Sequence, residues 1–327
     1  MPLRTRLDAL RRAAGTEPGP AEANTTALAR RLGQLRAPGQ GTPTRRACRD
    51  NAATALAGSL GATVLGPGVL VMEKRWPLVH QHGSWPVALS GVIPETLMPQ
   101  RLPKTGLVGY FDTETSGLSG GAGTVILNCG LAWREGAALV LRQWLLTAFS
   151  GEAAMLRDLL PRLAAVGVLV TYNGTTFDLP LLRDRLRFHG ITTMAEPAHV
   201  DLLHPVRRLF ARVWPRCRLV DVEQRLLGFH RNDDMPGSEV PAAWRNWLSG
   251  RPAHGFQRVP EHNALDVLSL AVLPSALARV LEDPLAYSAR PIAAARMLRQ
   301  AGKHQYCHRI LNGINAQQWL DLPDPIA

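Results

Sequence analysis

Asp112 and Glu114 stand two residues apart in Phe111-Asp112-Thr113-Glu114-Thr115, just after the apolar and small residues Leu107 to Tyr110 and just before a glycine-rich stretch, Ser116 to Gly123. That pattern predicts a buried strand ending in a tight turn. Alternate side chains of a strand share a face, so the two carboxylates point the same way. Paired carboxylates at a buried strand end repel each other and are costly to desolvate unless a cation lies between them. Ligands that are all oxygen favour Mg²⁺ or Mn²⁺ over zinc. The chemistry expected is therefore that of a divalent-cation site. One D-x-E pair is a weak signal alone, since an Asp that caps the following turn looks the same.

Two later segments supply partners. Val168 to Tyr172 is a short apolar, β-branched run, Asn173-Gly174 is a turn signal, and Phe177-Asp178-Leu179-Pro180 opens a helix. Pro180 suits a first helical turn, where its missing N–H costs nothing. Asp178 is either a third carboxylate of the site or a plain helix cap. The stretch Glu261 to Leu270 has helical apolar spacing, and His262 and Asp266 share one face of it. A surface His–Asp pair is the bland alternative there.

Taken together the three segments resemble the DEDD 3′–5′ exonucleases of the ribonuclease H-like fold. The first motif of that superfamily is D-x-E at a strand end. The second, N-G-x-x-F-D-x-P, is matched from Asn173 to Pro180, and the third is a His or Tyr ahead of a final Asp on the last helix. The closer resemblance is to the YprB-type ribonuclease H-like family. It runs through Asp112 to Thr124, Asp234-Met-Pro-Gly237 with Val240-Pro241, and His262 to Leu270. In one respect the chain departs from the exonuclease pattern: its His is four residues ahead of the Asp, the spacing usual for the Tyr subclass.

The resemblance implies a metal-dependent nuclease acting on DNA or RNA, a 3′–5′ exonuclease using two divalent cations, Mg²⁺ or Mn²⁺. Two cations about 3.5–4 Å apart neutralise the phosphodiester and hold the attacking water in line with the leaving oxygen. Asp112 would bridge both, Glu114 and Asp178 would complete one shell, and Asp266 the other. His262 would be the general base, a role that suits an ordinary His pKa. Substrate contacts are expected from Thr113, Gly120 and Gly121 in the first motif and from Asn173 and Phe177 in the second. A basic cluster that includes Arg207, Arg208 and Arg212 adds to them, although a solvated arginine face is equally expected there. Two alternatives use the same residues differently: a non-catalytic nucleic-acid-binding or scaffold protein that keeps the fold, and a structure-selective endonuclease.

These side chains need a frame. Thr124–Trp133 and Ala138–Phe149 read as a β-hairpin, Glu152–Ala165 as a helix, Val168–Tyr172 as a strand, Leu179–Phe188 as a helix and Ala198–Leu203 as a strand. With the strand at Leu107, this is the ribonuclease H-like order, an α/β fold with a mixed five-stranded sheet, flanking helices and extensions at both ends. The expected organisation is a basic arm over 1–50, a family-specific segment packed on the core over 51–103, the nuclease domain over 104–282 and a helical extension over 283–327. His80-x-His82 lacks a third ligand and reads as structural; Asp201 reads as a helix cap; Trp244 and Trp247 read as core.

Composition is compatible with this and excludes other classes. The 327 residues carry a net charge of +11, which suits a polyanionic partner, and residues 1–50 supply +6 of it from ten Arg against four acids. The four cysteines, Cys48, Cys129, Cys217 and Cys307, form no C-x-x-C, which argues against a zinc ribbon or redox motif and for reduced thiols. No apolar run is read as long enough to span a membrane, and Arg4, Arg6, Asp8, Arg11 and Arg12 interrupt any signal-peptide core. The expected location is the cytoplasm, with nucleic acid as partner and no membrane.

Overall fold

The computed structural model describes residues 45–98, 106–117, 123–192 and 197–314. The chain divides into two compact units, Met1–Cys48 and Arg49–Ala327. Nearly all of the first, with the basic arm expected there, lies outside the described residues, and so do Gly120 and Gly121.

The second unit is built on a seven-stranded mixed sheet. Its strands are β1 (Thr63–Gly66), β2 (Val69–Pro77), β3 (Leu107–Thr115), β4 (Ile126–Glu135), β5 (Ala138–Leu146), β6 (Val166–Thr171) and β7 (Ala198–Asp201). The order across the sheet is β1-β2-β5-β4-β3-β6-β7. The hairpin β4–β5 makes β4 antiparallel to β3, while β6 and β7 run parallel to β3. The five strands expected from the sequence are all present. The sheet is wider than expected because β2 pairs with β5 over its full length, Val69 opposite Leu146 through Pro77 opposite Ala138. Part of 51–103 thus continues the sheet in its own plane. Val87, Ile93 and Leu97 of the same region do pack into the main core.

Period-two alternation sorts β3 between two apolar layers. Tyr110 packs in the layer with the long helix Val259–Glu282, and Phe111 packs in the opposite layer with the helix Glu152–Ala164. Asp112 and Glu114 follow Tyr110 in phase, so they emerge on the long helix's side of the sheet. That helix, with the short helix His254–Gln257 just ahead of it, has a mean hydropathy of 1.7 over its most apolar stretch, enough by length and composition to cross a membrane. This corrects the expectation that no run is long and apolar enough. Most of that stretch is buried inside the fold, against β3, β4 and the C-terminal helix Pro291–Gln300.

Candidate metal centre and active site

Three segments converge at the C-terminal end of β3. Asp112 and Glu114 come from the strand itself, Asp178 from the first turn of the helix Asp178–Phe188, and His262 and Asp266 from the first turns of the helix Val259–Glu282. Asp112 and Asp178 are each held by a neighbour. The Asn263 side-chain N–H donates to Asp112 Oδ2 at 2.8 Å, and Gln143 Nε2 in turn donates to Asn263 Oδ1 at 2.8 Å. The Thr113 hydroxyl donates to Asp178. Thr113 therefore braces a carboxylate through its hydroxyl proton.

The turn ahead of Asp178 is fixed from β7. Asn173 takes a left-handed conformation at φ 67°, which Asn tolerates better than most residues. Asp201 Oδ1 accepts the N–H groups of Asn173 and Leu203, and Oδ2 accepts that of Thr175. Burial would raise the Asp201 pKa, but these bonds outweigh it and lower it. Asp201 is thus a structural anchor, as the sequence suggested. The buried His82 Nε2 lies 2.7 Å from the Ser269 hydroxyl, and burial followed by the charge of Arg231 lowers its pKa to about 4, so it too is structural.

Electrostatically the site is a cluster of carboxylates in conflict. Burial, and then the charges of Asp266, Asp178 and Glu114, push Asp112 well above the carboxylate range despite the Asn263 bond. Burial and Asp266 push Glu114 to about 8, and burial pushes Asp178 to about 6 against the Thr113 bond. Glu114, His262 and Asp266 each offer a ligand atom within 4.8 Å of the others. Asn128, directly across the sheet from Glu114, is fully buried, and neither polar atom of its side chain has a partner among the described residues.

Arg231 and Glu223 beside this cluster were not singled out from sequence, and Asp234 was noted only as part of a fingerprint. Arg231, 9% exposed, lies between three acids. Its Nε and Nη2 donate to Glu223 at 2.7 and 2.6 Å, its Nη1 donates to Asp234 at 2.8 Å, and its Nη2 also donates to Asp266. Glu223, with no exposed surface, also accepts the Ser269 hydroxyl at 2.5 Å. It opens a π-helical turn, Glu223–Leu227, a geometry that often marks functional sites. Asp234, from the Asp-Met-Pro-Gly stretch, sits 2.6 Å from His262 Nδ1. Burial would lower the His262 pKa, but the Asp234 bond and the charges of Asp266 and Glu114 raise it to about 9. Relative to the expected base with an ordinary His pKa, the acidic neighbours hold the ring above that value.

Of the expected substrate contacts, Phe177 is 51% exposed beside Asp178. Arg207, Arg208 and Arg212 are exposed on and just beyond the helix Leu203–Phe210. Trp244 and Trp247 are core residues whose indole N–H groups donate to Leu146 O and Thr147 O, each at 2.8 Å.

A family model of the RNase H superfamily matches residues 109–278. Over 220 residues the chain is 35% identical to the uncharacterized protein YprB of Bacillus subtilis (strain 168), which covers 62% of this chain and 52% of that protein. The chain thus spans about half the length of the curated relative it matches. A solved structure, the family B DNA polymerase of the hyperthermophilic archaeon Pyrobaculum calidifontis, aligns with 64% of this chain and 28% of the polymerase at a TM-score of 0.43 and 18% identity.

Proposed function

The chain belongs to the RNase H superfamily, in its YprB-type branch, and from that premise we propose that it is a divalent-cation-dependent nuclease that degrades DNA or RNA from the 3′ end. One observation carries the reading: Asp112, Glu114, Asp178 and Asp266 come from distant parts of the chain into one cluster, with Asp178 buried and the others partly so, in which desolvation and mutual repulsion raise the pKa of Asp112 and Glu114. A fold does not keep such a conflict for stability. The residues present fit a cation, since the donors are hard oxygens, the ligand atoms lie close together and the Asn128 amide beside them is unpartnered among the described residues.

The four carboxylates would hold the cations, Mg²⁺ or Mn²⁺, two in number by likeness to the exonuclease motifs. When bound, these neutralise the phosphodiester charge and stabilise the leaving oxygen. The protein's own part is orientation. Asn263 holds Asp112, Thr113 holds Asp178, and Arg231 holds Asp266 by one oxygen. Asp234 takes Nδ1 of His262, so any chemistry of that ring runs through Nε2. Exposed Phe177 would stack on a terminal base, and Arg207, Arg208 and Arg212 would contact phosphates. The 3′–5′ direction rests on the motif resemblance, and a cytoplasmic location is in keeping with the free thiols Cys129, Cys217 and Cys307.

The test is cleavage of end-labelled single- and double-stranded DNA and RNA by purified protein with Mn²⁺ or Mg²⁺, beside Asp112→Ala. Ladders that shorten from the 3′ end, absent with the variant, are expected. Internal cuts would replace the exonuclease by an endonuclease. Binding without cleavage of any substrate would overturn the enzyme reading.

A further inference from the structure

We propose that His262 Nε2 is a direct ligand of the divalent cation, with Glu114 and Asp266, so that the centre contains nitrogen and is not purely oxygen. This rests on the cation site proposed above and changes its chemistry.

Four observations point there. First, His262 and Asp266 are one helical turn apart, the spacing by which a helix presents two ligands to one ion. Second, Nε2 lies 3.6 Å from Glu114 Oε1 and 3.7 Å from Asp266 Oδ2. Both are too long for hydrogen bonds. Donors each about 2.1 Å from a shared ion stand about 3.0–3.6 Å apart for angles of about 90–120°. Arg231 engages the other Asp266 oxygen, Oδ1, which leaves Oδ2 facing the ring. Third, Asp234 sits on Nδ1 at 2.6 Å. A carboxylate on the far nitrogen is the usual support of a metal-bound imidazole, since it fixes the tautomer and raises the basicity of the ligating nitrogen. Fourth, the chain packs closely at this nitrogen without a side chain in the way: a Cβ on Gly237 would come within 3.3 Å of Nε2.

An imidazole in the ligand set favours a first-row transition ion over Mg²⁺, because Mg²⁺ is hard and dehydrates reluctantly. The inference therefore selects Mn²⁺ over Mg²⁺ more strongly than an all-carboxylate site would.

The experiment is pulsed electron paramagnetic resonance of the full chain loaded with Mn²⁺, prepared with natural and with ¹⁵N-labelled histidine, alongside His262→Gln. We expect a nitrogen hyperfine coupling that changes with the label and vanishes in the variant, and Mn²⁺ affinity at least about tenfold lower in the variant, by comparison with the 10–100-fold effects of the supporting groups alone. The labelled wild-type protein gives a result even if the variant does not fold. Bound Mn²⁺ with cleavage but without a label-sensitive coupling would overturn the ligand assignment and leave the nuclease standing, as would a coupling that persists in His262→Gln. Wild-type protein that binds no Mn²⁺ would overturn this inference and the cation site together.

Discussion

Gly130 stands opposite Asp112 in the sheet, and a methyl group there would come within 2.4 Å of the Asn263 side-chain oxygen. The long helix therefore closes on β4 where the strand has no side chain. That closeness is what lets Asn263 reach Asp112. Gly130→Ala should cost about 1–3 kcal/mol by overpacking and should also weaken cation binding, because Asn263 is the group that must move. Denaturant unfolding with Mn²⁺ titration checks both. If neither changes, the close approach is not what holds Asp112.

Removing a repelled charge should separate stability from function. Asp112→Asn keeps the side chain's shape and takes one carboxylate from the cluster. Cleavage should be lost, while the melting temperature in a chelator should rise by about 2–4 °C for each kcal/mol of relieved repulsion. Thermal melts in EDTA and a cleavage assay test the pair of outcomes. A lower melting temperature would mean that the carboxylates are not in conflict.

The pH dependence has a definite sign. Glu114 is raised from 4.5 to about 8, so the fold binds its proton more tightly than the unfolded chain does. That stability is complete at low pH and is lost as pH climbs from 4.5 to about 8. His262 is raised from 6.5 to about 9, so its contribution is present below 6.5 and lost by about 9. Both run the same way. In EDTA the melting temperature should fall between about pH 5 and pH 9, and saturating Mn²⁺ should flatten the decline.

Arg231 is bound by two side-chain bonds to Glu223, a carboxylate without exposed surface. Arg231→Met would leave that charge buried and unpaired, at about 3–5 kcal/mol. Arg231→Lys cannot reproduce the fork and should recover only part of the loss. Urea unfolding of both variants measures this, and a neutral Met variant would show that the Arg231–Glu223 pair does not hold this corner of the fold.

If the exposed arginines meet phosphates, Arg207, Arg208 and Arg212 changed together to Ala should flatten the salt dependence of nucleic-acid binding, by about 0.9 in the log–log slope for each duplex phosphate no longer neutralised. An unchanged slope would make this helix face merely solvated.

Much of the site was legible, its pairs from local geometry and their assembly into one site from the family resemblance. Asp112 and Glu114 follow from strand alternation, Asp178 from a turn followed by Pro180, and His262 with Asp266 from one helical turn. The clamp around them was not. Arg231 is one of 37 Lys and Arg in the chain, and neither it nor Glu223, which opens a π-turn, lies in an element with a readable period. Asp234 was visible as part of a fingerprint, but nothing local ties it to a ring far along the chain. In β2 the apolar start, Val69 to Met72, was readable because both faces are covered. Its continuation through Glu73, Lys74 and Arg75 was not, because those polar residues belong to a stretch with one open face.

Asp201 has a mechanical consequence. One carboxylate accepts the backbone N–H that starts the turn before Asp178 and the backbone N–H at the start of the arginine-bearing helix. Tension on Arg207 and Arg208 from a strand drawn across that helix would reach the segment that carries Asp178 through this carboxylate, beside the ladder that pairs β6 with β7. Grip on the polymer and alignment of the reacting centre would then be one displacement, and a ratchet advancing along a strand would need no separate moving part to keep them in step.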